Sequence, residues 1–87
     1  MSDVMYVVTQ IRSGGAMTVD VEEFGARSAA VAYLEDLEET HGRLEGYRAN
    51  LVRGSGGVVL HAEATAPGPG GRLVTLQSRY EIVERVA

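Results

Sequence analysis

The stretch Ser28-Ala29-Ala30-Val31-Ala32-Tyr33-Leu34-Glu35-Asp36-Leu37-Glu38-Glu39-Thr40-His41 decides the fold. Ala30, Val31, Tyr33, Leu34, Leu37 and His41 recur at helical spacing, while Glu35, Asp36, Glu38 and Glu39 occupy the opposite side. The segment therefore predicts an amphipathic helix with one apolar face. Ser28 stands where an N-cap hydroxyl would accept a hydrogen bond from the first turn, and Gly42 where a left-handed residue ends a helix. No second segment of the chain offers this period.

Working outward, the flanks alternate with period two and are punctuated by glycine. Val4 to Arg12 is rich in β-branched residues and tyrosine, and Ser13-Gly14-Gly15 then supplies a tight reversal. A second strand is expected from Ala16 to about Glu23, where Met17, Val19 and Val21 alternate with Thr18, Asp20 and Glu22. Beyond the helix, strands are expected over Tyr47 to Arg53, Val58 to Ala66 and Arg72 to about Val86, separated by Gly54-Ser55-Gly56-Gly57 and by Pro67-Gly68-Pro69-Gly70-Gly71. The second of these turns should contain no strand, because proline cannot donate to a ladder. The order is β-β-α-β-β-β, an α+β fold in one small domain over residues 1–87, with a five-stranded, mainly antiparallel sheet and one helix packed on one face.

Composition narrows the function classes. Eighty-seven residues without a cysteine build a thin core and exclude disulfide staples and thiolate metal sites, which leaves oligomerisation as the common remedy for a small domain. Twelve acidic residues against eight basic ones, all arginine, leave a formal net charge of −4, which disfavours nucleic acid and anionic membranes as partners. Met1-Ser2-Asp3 shows no basic n-region, and no apolar run approaches the ~20 residues that cross a bilayer. The expectation is a soluble, cytoplasmic protein without membrane contact.

A helix on one side of an antiparallel sheet leaves the other side to water, and polar residues should then fill every second position. Here Val4, Tyr6 and Val8 alternate with Met5, Val7 and Ile11, and Val52 and Val59 stand opposite in phase to Leu51 and Leu60. Both faces carry apolar side chains, which predicts a homodimer or higher oligomer with Tyr6, Val8, Val52 and Val59 at the self-association surface.

Candidate chemistry is sparse. His41 reads as a helix-end residue and His61-x-Glu63 is short of a zinc ligand set, so neither a catalytic nor a metal site is expected, and no cofactor. If the strands alternate in direction, the Gly54 to Gly57 turn shares an end of the sheet with the helix N-terminus. Arg27, Ser28, Arg53, Gly54, Gly56, Gly57 and Arg85 would then assemble into an anion site. A second arginine group, Arg12, Arg43 and Arg72, would gather at the opposite end without helical amides. The sequence thus reads as a non-enzymatic oligomeric interaction module, an accessory or inhibitor protein of a bacterium or phage that acts through protein contacts with its acidic helix free for a basic partner. The alternative is a binder of a small anionic ligand such as a nucleotide at an arginine- and glycine-rich site between subunits.

Overall fold

The structure, a computed structural model, describes residues 3–12 and 17–86. The expected Ser13-Gly14-Gly15 turn and Ala16 lie outside the described residues. Strands β1 (Val4–Arg12) and β2 (Thr18–Phe24) precede helix α1 (Arg27–Gly42), and β3 (Tyr47–Gly54), β4 (Gly57–Pro67) and β5 (Leu73–Val86) follow it, with one short 3-10 turn at Pro69–Gly71. All neighbours run antiparallel in the order β2-β1-β5-β4-β3. This is the expected α+β domain. Three hairpins account for the sequential pairs, and the remaining pair sets the first strand beside the last, from Val4 opposite Val86 to Arg12 opposite Ser78. No helix among the described residues is long and apolar enough to cross a membrane.

Pairing sets the two faces, because residues opposite one another point to the same side. On the front, Val8, Leu60, Ala62 and Tyr80 pack against Ala30 and Leu34 of α1, with Tyr6, Phe24, Leu51 and Ile82 around them. The Phe24 and Tyr33 rings lie 5.5 Å apart and close the β2 end of this core. Val8 is 0% exposed beneath the helix. It therefore has no surface to give a partner subunit, and its assignment to a self-association surface is corrected; Tyr6, half-buried against the same core, goes with it.

The helix ends differ from expectation too. Its N-cap is Ala26, in extended conformation with no side-chain cap, and Ser28 is already the second helical residue. The Ala26 carbonyl accepts from the Ala29 and Ala30 amides. The chain leaves β2 extended and turns straight into the helix, so the capping position arrives before the serine does. Gly42 is the last helical residue, and the left-handed conformation falls on Gly46, at φ +81°. A Cβ there would meet the Thr65 carbonyl oxygen at 2.7 Å, and the Gly46 carbonyl accepts the Thr65 amide at 2.7 Å. Glycine is thus required where the loop after α1 ties down onto β4. Pro67, expected in a turn, ends β4 opposite Leu73, at the tip of the hairpin where no ladder bond is lost.

Both edge strands are blunted. Glu38 of α1 accepts the Leu51 amide of β3 at 2.5 Å, and Arg53 of β3 reaches Glu35 of α1 at 2.7 Å. The other edge, β2, slips register between Val8 and Thr9 and presents Asp20, Glu22 and Glu23. A bulge and like charges both discourage a further strand.

Length mismatch is the main feature of the architecture. Sixteen helical residues span about 24 Å and the fourteen of β5 about 46 Å, so α1 cannot cover the whole of β5. The pairs Thr65 with Thr75, Ala66 with Val74 and Pro67 with Leu73 extend past the start of β3 and the end of β1, leaving a two-stranded arm. The molecule measures 56 × 26 × 21 Å, with a radius of gyration of 14.6 Å against the about 12 Å expected of a compact chain this long.

Candidate functional site

The strand directions bring the β3–β4 turn to the N-terminal end of α1, as the arginine-site expectation requires. Gly57 adopts φ +124°, and a Cβ at that position would lie 2.9 Å from Nη2 of Arg27. Arg27 thus lies against the turn because residue 57 has no side chain. The rest of the set does not converge. Arg53 is engaged by Glu35, and Arg85 makes two hydrogen bonds to Asp20 across the back of the sheet, at 2.5 and 3.0 Å. That pairing, through its hydrogen bonds first, holds the Asp20 carboxyl below the ordinary carboxylate range and raises Arg85. The concavity beside Arg27, of about 370 Å³, is lined also by Gly56, Gly57, Glu81 and Glu84, and the Glu81 carboxylate is paired with Arg79. Ser28 is exposed and does not cap the helix, and Gly54 pairs with Gly57 as an ordinary hairpin end.

The acidic side of α1 is in use within the chain. Glu35 holds Arg53, Glu38 holds the Leu51 amide and Glu39 pairs with Arg43 one turn on. These contacts fasten the helix to its neighbouring edge strand and leave fewer carboxylates for a basic partner than the sequence alone implies.

On the back of the sheet, Val52 and Val59 are direct cross-strand partners, as the phase of the alternation requires. Val52 is exposed and Val59 half-buried, with Met5, Val7, Ile11 and Val83 on the same side. Val7 is buried on that side although no helix among the described residues lies over it. The apolar residues are broken up by charged ones: Arg79 pairs with Glu81 at 3.1 Å, and Gln77 donates to Glu63 at 2.9 Å. His61 stands exposed in this charged region, opposite Asn50 and Arg79.

The front of the sheet beyond the helix is the least satisfied surface. There the register puts Leu76 opposite Ala64 and Val74 opposite Ala66, continuing the alternation that upstream places Tyr80 and Leu60 in the core. Leu76 is 68% exposed and Val74 41%, and Leu73, on the back at the tip, is 73% exposed. Leu44 and Tyr47, after the helix, are exposed beside them. A concavity of about 430 Å³ opens at the junction, lined by His41, Tyr47, Ala64, Leu76 and Tyr80 among others, with Gln10 and Arg12 across from them. His41 stacks on Tyr47 with ring centroids 5.7 Å apart, and its Nδ1 is buried with no hydrogen-bond partner, so the imidazole forms the wall of this groove rather than capping the helix. Sequence reading missed the shelf. The signal was present in the lengths: a final strand of about fifteen residues cannot lie wholly under a helix of fourteen.

No protein-family model, curated protein or solved structure matches this chain.

Proposed function

We propose that this chain is a non-enzymatic oligomeric interaction module, an accessory protein that works by presenting apolar surface to protein partners. The observation that supports this best is the arm, where Leu73 and Val74 stand in water on a two-stranded ribbon and Leu76 stands in water at its root. Isolated two-stranded ribbons are marginal in water, and contiguous exposed apolar side chains mark interaction sites. Multi-angle light scattering across a concentration series tests the reading. It predicts a mass above one chain that falls on dilution, and a single-chain mass at millimolar concentration would contradict it.

A small-anion site at the β3–β4 turn is the second reading, supported by the approach of Arg27 to Gly57. Its weakness is electrostatic, since Glu84 shares the concavity and Arg53 and Arg85 are engaged elsewhere. A nucleotide panel at millimolar concentration should raise the melting temperature by an amount that Arg27→Ala abolishes, and a flat screen removes this reading.

A further inference from the structure

The front face outlasts its helix, and we infer that a second copy of this chain fills the vacancy: two subunits pack arm against arm, each arm occupying the layer in which the other subunit's helix has ended. The inference deepens the interaction-module reading and rests on it.

Three observations converge. The first is the layer itself. Helix α1 stops at Gly42 and leaves the front of the β4–β5 hairpin uncovered from Leu76 to its tip, a length of about 13 Å. A sheet packs on a sheet at about 10 Å, close to the 10–12 Å thickness of a helix, so a strand pair laid on Val74 and Leu76 continues the helical layer without a step. The arm is such a strand pair. A twofold axis lying in the plane of the contact and perpendicular to the strands seats each arm on the other. It sends the two helices to opposite ends, where they do not collide. The contact is isologous and closes as a dimer.

The second is chemical. The front of the arm and of its root carries Ala64, Ala66, Val74 and Leu76, all apolar, while the back carries Glu63, Thr65, Thr75 and Gln77, with Pro67 and Leu73 at the tip. Thr65 and Thr75 are within hydrogen-bond distance of each other there, at 3.0 Å. The front of the arm thus carries only apolar side chains, and it is the side that faces the missing layer.

The third is area. A compact chain of 9.3 kDa exposes about 5,000 Å², whereas this one exposes 6109 Å², an excess of roughly 1,100 Å². A standard stable interface removes about 800 Å² from each partner. The surplus is of the size that one twofold contact removes.

Sedimentation equilibrium on the wild type, Leu76→Glu and Val52→Glu tests this. Leu76 is too exposed for its replacement to unfold the subunit, and the milder Leu76→Ser serves if the glutamate variant loses its cooperative melt. The expected result is a wild-type dimer, association weakened at least about a hundredfold in Leu76→Glu, and an unchanged dimer in Val52→Glu, which carries its charge on the back of the sheet. A dimer that survives Leu76→Glu and Leu76→Ser but falls apart in Val52→Glu overturns the arm contact and moves the seam to Val52 and Val59, with the interaction-module reading intact. A wild-type monomer overturns both.

Discussion

The front of the sheet divides into two halves built from the same two-residue alternation and different in their cover. Under α1, Val8, Leu60 and Tyr80 are buried; past Gly42, the next apolar positions on the same strands, Leu76 and Val74, stand in solvent. Alternation therefore specifies which side of a strand is apolar, and the length of the opposing element specifies how much of that side is dry. A chain with one helix of 16 residues and a terminal strand of 14 has more apolar sheet than it can shield alone.

The sharpest way to break the comparison is to truncate one leucine on each side of the divide. Leu34→Ala empties a fully buried site between the helix and the sheet and should cost about 2–5 kcal/mol of unfolding free energy by chemical denaturation. Leu76→Ala should leave the stability of the dilute subunit within about 0.5 kcal/mol. Equal losses at the two positions would mean that the shelf is part of the core.

The next effect concerns how the covered half is fastened. Glu38→Ala leaves the Leu51 amide without its acceptor and should cost about 1–3 kcal/mol, with the Leu51 amide exchanging faster while core amides keep their protection. Unchanged exchange at Leu51 would show that the carboxylate does not hold the edge strand.

The comparison also separates what the sequence made legible from what it did not. Element order, single helix and antiparallel sheet follow from the period of the apolar residues and the glycine turns. Phase does not. Val4, Tyr6 and Val8 alternate with Met5, Val7 and Ile11, and nothing within β1 says which set lies under α1. That is decided by pairing with distant partners, Tyr6 with Phe24 on one side and Val8 with Ile82 on the other. Tyr6 and Val8 were assigned to the outer surface for this reason, whereas Val52 and Val59 fall on the uncovered back because Leu51 and Leu60 pair with each other and Leu60 with Tyr80. The arginine set was hidden differently. Topology did bring Arg27 to Gly57, but the carboxylates that engage Arg53 and Arg85 come from α1 and β2, and cross-element ion pairs leave no local mark in a sequence.

The smallest expected effects are electrostatic and lie on the exposed back. The Asp20 carboxyl is held below its ordinary range chiefly by its hydrogen bonds to Arg85. A depressed folded-state value means that the pair's contribution is present above the unfolded carboxylate range and is lost as pH falls through the folded value. Asp20→Asn should therefore lower stability slightly at neutral pH and leave acid pH nearly unchanged, which flattens the acid limb of the profile, and high salt should erase the difference, since exposed pairs are screened. Tyr33, raised by burial first and by Glu22 and Tyr80 next, acts at the other extreme. Its stabilising effect is complete below the ordinary tyrosine range and is lost as pH climbs through the raised folded value, so Tyr33→Phe should blunt the alkaline limb of the thermal melt.

Methyl NMR followed through a dilution series tests the central claim most directly, because it reports both halves of the front and the back of the sheet in one spectrum. The account predicts that the methyls of Leu76, Val74 and Ala64 shift as the protein is diluted, while those of Leu34, Leu60, Val52 and Val59 hold still. Shifts confined to Val52 and Val59, or a spectrum that does not change from millimolar to micromolar protein, would contradict it.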